Sequence, residues 1–477
     1  MSKFIKRLFL KQDPAFYQDK DSHLKPSLTT KDLLGLGLGM VIGTALFTLP
    51  GIVAADHTGP AVPLAFILGA IGAGMASFAY AETASVLPFA GSAFTWINVL
   101  FGEFFGWLAG WALLAEYFIS IAFVASGWSA YVQGFIGSFG FKLPISISTG
   151  FNPKTGGFID LFAAFAVLIV GFVLSKGISQ VSRIENFLVV IKLTVVILFI
   201  VVGLTSIHAQ NYVPFIPAHK VGTSFGGFPG ILAGAAQIFL AYVGFDAISA
   251  NTAEAKDPEK TMPRGIIGTL LIGTIFFVVV SLILVGMFKY NLYEGNAEPA
   301  AWALRKSGHF VTANLLSIVA IVGMFAALIG IHLASSRLVY AFGRDGLLPV
   351  FLGKVNQKHL PNNALVIVTI AALIVASVFP FTFLANLVSA GTLIAFIMVS
   401  LGIYALRPRE GKDLPLPKFR MPFYPILPCV SAAFSTMIFW GLNIDAKLLM
   451  LGWFVIGMLI YFVYGIKHSK LSKKTTK

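Results

Sequence analysis

The chain has 477 residues, of which 57% are hydrophobic and only 11% are charged. Apolar runs of nearly twenty residues recur from end to end, which excludes a set of soluble domains, because about twenty residues cross the ~30 Å hydrocarbon layer of a bilayer. The formal charge of +14 gathers at the termini and in short loops, a distribution that anionic lipid explains without any nucleic-acid partner.

Cys429 is the only cysteine, so intrachain disulfides and cysteine-cluster metal sites are excluded. Met1–Lys31 carries many charges and no apolar core, and reads as a cytoplasmic tail and not a cleaved signal peptide.

Periodicity and helix breakers predict an all-α membrane protein with twelve transmembrane helices. The first five spans fall near Lys31–Ala54, Gly59–Leu87, Phe104–Gln133, Gly157–Leu174 and Ile184–Ile207. The next five fall near Gly226–Thr252, Met262–Phe288, Phe310–Ala341, Asn363–Phe379 and Phe381–Leu406, with a short surface helix around Trp302 and Arg305. The last two lie near Phe423–Leu442 and Leu448–Ile466. The expected organisation is therefore a tail over 1–30, a first half over 31–207 and a second over 226–406. Two further helices over 421–466 and a second tail over 467–477 complete it.

Lysine and arginine set the orientation. With the N-terminus inside, inner tails and loops hold 25 of the 34 basic residues and outer loops hold seven. Both termini are expected in the cytoplasm.

The first span contains Gly35–Pro50, GLGLGMVIGTALFTLP, in which Gly35, Gly37, Gly39 and Gly43 weaken a regular helix by about 1 kcal/mol each. Broken backbone survives inside a bilayer only where protein or a water-filled cavity surrounds it. The sixth span carries Gly244 in mid-course and then Asp246, a strong N-cap residue, so a break near Tyr242–Phe245 would let Asp246 start a new half-helix. Interrupted spans at positions one and six suggest two five-helix halves related by inverted topology. Such paired interruptions point to a transporter's binding site. Free amides at a half-helix N-terminus attract an anion and free carbonyls attract a cation. An α-amino acid has both groups, close together.

Few ionisable residues lie deep in the spans: Lys192, Glu116, Asp246 and, near an inner end, Arg337. Each is a candidate functional residue. Lys192 sits roughly 12 Å from the inner end of its span and Glu116 roughly 18 Å, at 1.5 Å per residue. Lys192 either snorkels to the inner interface or faces the first-helix break. In the second case it would be neutral or charged at different points of one transport cycle, and its ammonium could stand where a sodium ion would, giving proton coupling. Glu116 either pairs with Lys192, bonds to neighbouring backbone, or carries the proton itself. Arg337 either docks an inner loop or snorkels. Together with the connector EAKDPEKTMPRGI (Glu254–Ile266), which includes Glu254 and Arg264, it forms the expected inner gate.

The segments GLGLGMVIGTALF, FLAYVGFDAIS, EAKDPEKTMPRGI and SSRLVYAFGRDGLLP resemble those of the amino acid–polyamine–organocation transporters, in the cationic amino acid transporter-like branch. FGEFFGWLAGWALLAEYFISIAF makes the chain similar to the branched-chain amino acid permeases of lactic acid bacteria. The resemblance implies a fold of five plus five helices, alternating access, and no cofactor. It implies that the substrate carboxylate meets amides around Gly43, Thr44 and Ala45. The substrate ammonium would meet carbonyls near Val41 and in Leu240–Val243, which includes Ala241 and Tyr242. Lys192 matches a helix-five lysine that stands where sodium-coupled relatives hold sodium, and Glu116 matches an acidic position on helix three. Where relatives often read G-[ST]-G, this chain has Gly43-Thr44-Ala45.

Apolar neighbours, Ile42, Ile119, Phe123, Leu240 and Phe245, favour an aliphatic substrate. A cationic side chain would need a buried partner. The expected activity is proton-coupled symport of leucine, isoleucine and valine across the cell membrane, with alanine-type or cationic substrates as the alternatives. No G-x-x-x-x-G-K-[ST], G-x-S-x-G or H-E-x-x-H motif is present and the histidines lack metal-ligand spacing, so a pump and a metal site are not expected, and an intramembrane enzyme or a channel is only a remote alternative. A channel would need a continuous pore, whereas broken helices favour occlusion.

Overall fold

The computed structural model describes residues 8–21, 28–89, 91–141, 143–176, 181–242, 248–249, 252, 255–356, 361–387 and 389–471. Among these the regular structure is helical, with isolated β-bridges only. In chain order, α1 (Pro14–Asp21) precedes α2 (Thr30–Val41), which breaks before α3 (Thr44–Val53). Then come α4 (Val62–Val86), α5 (Ser92–Leu100), α6 (Glu103–Gly137), α7 (Leu161–Lys176), α8 (Val181–Leu204) and α9 (Gly227–Ile238). The remainder holds α10 (Pro258–Met287), α11 (Pro299–Lys306), α12 (Phe310–Asp345), α13 (Asn362–Val378), α14 (Phe381–Leu387), α15 (Ala390–Leu406), α16 (Ile426–Gly441) and α17 (Ile444–Ile460).

Six helical stretches among the described residues are long and apolar enough to cross a membrane: Thr30–Val86, Glu103–Gly137, Pro258–Met287, Phe310–Asp345, Phe381–Arg409 and Ile444–His468. Five shorter apolar helices accompany them, such as Leu161–Lys176 and Asn362–Val378. Large apolar side chains of α17, among them Ile444, Leu448, Leu451 and Val455, are exposed, as a lipid-facing helix requires.

The first span forms as two helices because its start is held and its middle is not. Thr29 and Asp32 make a reciprocal capping box at the head of α2, with Thr29 N–H donating to Asp32 at 2.9 Å. At Ile42 the backbone leaves the helical region, with φ −85° and ψ 62°, and α3 begins after Gly43. A Cβ on Gly43 would stand 3.0 Å from the Met40 carbonyl oxygen, so a side chain would crowd this turn. The other glycines serve packing. A Cβ on Gly37 would overlap Thr269 of α10, and one on Gly39 would lie 3.1 Å from Val189 of α8. Small residues thus let α2 sit close to both partners.

The helices gather in two groups. α2 and α4 pack on α10, and α9 packs on α4, while α6, α7, α12 and α13 pack on one another. α5, a nine-residue helix starting from the left-handed Gly91, has no counterpart in the expected spans, since its apolar run is too short to signal a crossing. The tenth expected span divides into α14 and α15 around Ser389.

Polar links close the end that carries most of the basic residues. Glu82, fully buried near the end of α4, accepts from Arg407 Nε at 2.9 Å and Nη2 at 3.0 Å, and from Met421 N–H at 2.5 Å. The N-terminal segment crosses the same face. Leu10 O accepts from Glu103 N–H at 3.0 Å, Asn98 Nδ2 donates to the buried Tyr17 hydroxyl at 3.0 Å, and Leu28 O accepts from Lys256 N–H at 2.8 Å.

A candidate substrate cavity at the helix breaks

The N-terminus of α3 is open. Gly43 has no side chain to accept from the first amides of the helix, so the first-turn N–H groups and the positive end of the helix dipole are available to an anion. Thr44 and Ala45, in that first turn, line a cavity at the helix break.

Four spans build its walls. Met40, Thr44 and Ala45 come from the two sides of the first break. α6 contributes Tyr117, Ser120, Phe123 and Val124, and α12 contributes Ala327, Ile331 and Ala334. Leu240 and Ala241 come from the turn after α9. The lining is chiefly aliphatic and aromatic, and no carboxylate lies in it among the described residues. Two hydroxyls in it, Thr44 Oγ1 and Ser120 Oγ, are buried and have no hydrogen-bond partner among the described residues. The Thr44 methyl reaches α6 where Gly127 leaves room for it, and Phe123 stacks on Phe381 with ring centres 5.0 Å apart.

The sixth span tightens before it stops. After Ile238 the chain forms a 3₁₀ turn over Phe239–Tyr242. Ser389, between α14 and α15, holds this turn: its hydroxyl accepts from Leu240 N–H at 3.0 Å and donates to Gln237 O at 3.2 Å. These are the backbone groups that a weakening helical ladder leaves over. Tyr242 turns away from the cavity, donating to Phe66 O at 2.7 Å and packing against Phe277. Val243, Phe245 and Asp246, expected at this break, lie outside the described residues, as does Glu254 of the expected inner gate.

Lys192 is 2% exposed and donates to the Gly39 carbonyl at 2.7 Å. It therefore reaches the last turn of α2, four residues before the break, and does not extend to an interface. Room for its stem comes from Gly323 of α12, where a Cβ would overlap Lys192 Cε. Glu116 is fully buried against a different neighbour: a Cβ on Gly391 of α15 would stand 3.0 Å from the Glu116 Cβ. Val41 and Ile42 are buried at the break without lining the cavity, and Ile119 is only partly buried. Arg264 and Arg337 are exposed. In the connector, Lys260 pairs with Asp257 at 3.1 Å and Glu259 with Lys418 at 2.5 Å.

Sequence reasoning did not find Ser120, Ala327, Ile331, Ala334, Gly323 or Ser389. The only signal was helical spacing from residues already singled out, since Ser120 stands one turn after Glu116 on the same face.

An all-helical, multi-pass membrane protein with a small interior cavity at a helix break belongs, as a class, with the solute permeases. The amino acid permease family model matches residues 28–464, and the chain belongs to that family. It is 53% identical over 460 residues to the branched-chain amino acid permease BcaP of Lactococcus lactis subsp. cremoris (strain MG1363), covering 96% of this chain and 99% of the relative. It is 35% identical over 458 residues to the methylthioribose transporter of Bacillus subtilis (strain 168), covering 96% and 97%. With cationic amino acid transporter 4, vacuolar, of Arabidopsis thaliana it shares 32% identity over 419 residues, covering 87% and 69%.

Proposed function

We propose that this protein is a secondary active transporter that carries branched-chain and related neutral L-amino acids together with protons by alternating access. The observation that carries this reading is the uncapped N-terminus of α3 opening onto an aliphatic cavity. The substrate carboxylate binds the amides at Gly43–Ala45, and the side chain lies among Phe123, Val124, Leu240 and Ile331. The ammonium group binds carbonyls near Val41, on the side where Met40 lines the cavity, and in Leu240–Val243.

The lining argues for a neutral side chain. A cationic one would enter a cavity with no described carboxylate, and an unpaired buried charge is very costly. The similarity to a relative named as a branched-chain permease supports the same choice. Lys192, tied to Gly39 beside the break, is the proposed coupling group: its proton joins or leaves α2 as substrate joins or leaves α3. Glu116, on the α6 face that also carries Ser120, is the proposed second proton-sensitive group.

The architecture that goes with this reading is twelve crossings with inverted five-helix halves, both broken in their first helix, and two further helices. The asymmetry of basic residues supports cytoplasmic termini in a cell membrane. Glu254, Arg264 and Arg337 form the proposed inner gate.

Counterflow in proteoliposomes tests the substrate. Vesicles loaded with unlabelled leucine should take up labelled leucine, with competition from isoleucine and valine and little from arginine. Competition by arginine but not by isoleucine would reverse the assignment.

A further inference from the structure

The loop between α6 and α7 turns large apolar side chains outward. Ile145, Ile147, Phe151 and Phe158 are exposed, Phe158 to 67%. The charged residues of segment 138–160 are Lys142, Lys154 and Asp160, and Asp160 is buried. A loop in water gains nothing by showing such groups, and an apolar patch of this kind marks a contact surface.

The patch has a fixed shape. The Phe158 and Ile159 N–H groups both donate to Ser146 O, at 3.2 and 3.0 Å, which sets Phe158 beside the helical turn Ile145–Ser148. Asn152 N–H donates to Gly157 O at 2.9 Å, and the Phe151 and Phe158 rings lie 6.4 Å apart. The loop is tied to the last turn of α13, where Phe151 N–H donates to Val378 O at 2.7 Å and Asp160 N–H to Ser377 O at 2.9 Å. From α6, Gln133 Nε2 donates to Ser148 O at 2.7 Å. These bonds pair backbone groups inside the protein, as a segment that leaves water requires.

The two helices that meet the loop are short. α7 has 16 residues and α13 has 17, which give about 24–26 Å at 1.5 Å per residue against ~30 Å of hydrocarbon. The loop stands where both helices end, and its patch continues a stripe of α7. Leu161, Phe165 and Leu168 are exposed there at helical spacing on one face.

We propose that this loop is a lipid-contacting collar, whose apolar side chains enter the upper acyl chains of the bilayer and complete the hydrophobic height that α7 and α13 lack. A short apolar span otherwise thins the bilayer around it. Lys154, exposed in the turn closed by Asn152 and Gly157, is the polar tip, where a cation meets lipid phosphate. The occupant is lipid because the patch prolongs the α7 face that a membrane-spanning helix turns to lipid. This surface is independent of the transport reading.

Quenching of a fluorescent label tests it, on the full chain in nanodiscs of phosphatidylethanolamine and phosphatidylglycerol. Cys429→Ser removes the exposed native cysteine, and Ile147→Cys, Phe158→Cys or Thr155→Cys then carries an environment-sensitive dye. Labels at positions 147 and 158 should lose most of their fluorescence to lipid spin-labelled near the top of the acyl chain, and little to aqueous iodide. The label at position 155, in the polar turn, should show the reverse. Equal iodide quenching at all three positions overturns the collar. Shielding of positions 147 and 158 from both quenchers also overturns it, since a protein, a second copy included, then covers the patch. Should a variant fail to fold, the unmodified chain decides. Phosphatidylglycerol with a photoreactive diazirine near the top of its acyl chain should label Ile145–Phe158, and absence of adducts there contradicts the proposal.

Discussion

Lys192 reaches Gly39 through a path framed by two positions without side chains, Gly39 itself and Gly323. Gly39 lets α2 approach Val189 of α8, and Gly323 of α12 leaves space for the lysine stem. Adding a methyl at Gly323 should therefore act on Lys192 from a distance. Gly323→Ala and Lys192→Ala should both lose gradient-driven leucine accumulation by about 5- to 150-fold, the usual size of a coupling between two bound species. Leucine counterflow, which needs no net proton movement, should be reduced much less. Equal loss of both activities in Lys192→Ala would remove the lysine from coupling. Asp160 offers a second residue-scale prediction, at the residue just ahead of the apolar helix Leu161–Lys176. It caps α7 by accepting from Ala163 N–H at 2.9 Å and takes the Ser129 hydroxyl at 2.7 Å, yet burial pushes its carboxyl up to about 6. The folded protein then holds a proton that the unfolded chain releases near pH 4. Stability should fall as pH rises from about 4 to about 6 and level off above that, by linkage. In Asp160→Asn, thermal unfolding followed across this range should lose that slope.

Residues with rare chemistry for their setting were legible in the sequence. A lysine and a glutamate at membrane depth, and four glycines in nine positions, announce themselves. Ser120, Gly323 and Ser389 do not, because small and hydroxylated residues are ordinary in packed membrane helices. Their importance lies in what they face, and facing is set by helix rotation and tertiary contact.

At the scale of elements, the first break was legible because glycine weakens the helix on both sides of Ile42, and the structure breaks at Ile42–Gly43. The end of α9 was legible only in part. Its 3₁₀ turn depends on Ser389, 149 residues away from Leu240 in sequence. Ser389→Ala should leave Leu240 N–H and Gln237 O without their partner. It should cost about 1–3 kcal/mol of stability and weaken leucine binding in the same step, both measurable on detergent-purified protein by thermal unfolding with and without leucine. The link between α4 and the segment after α15 is tighter. Glu82 accepts three hydrogen bonds from Arg407 and Met421 with no exposure to solvent. Glu82→Ala leaves Arg407 with the Met421 carbonyl and the Tyr424 ring but without its carboxylate, and should destabilise the protein by about 1–3 kcal/mol, seen as a lower unfolding midpoint. An unchanged midpoint would show that Arg407 finds another partner.

For the whole molecule, composition fixes the membrane and the two groups of packed helices place the cavity where they meet. α2, α3 and α9 lie on one side of it, and α6 and α12 on the other. In the proposed alternating access, one group moves against the other and Thr44 and Ala45 face alternate sides while each group keeps its own packing. The N-terminal segment touches both groups, through Leu10 to α6 and through Leu28 to the start of α10. That contact was not legible, since the segment carries no apolar period. Leucine uptake into proteoliposomes tests most directly the proposed coupling of a proton gradient to amino acid accumulation through this cavity. With an inward proton gradient and the membrane potential clamped at zero, labelled leucine should rise above its external concentration and then fall when the gradient is collapsed. Equal leucine levels with and without the gradient would contradict proton symport.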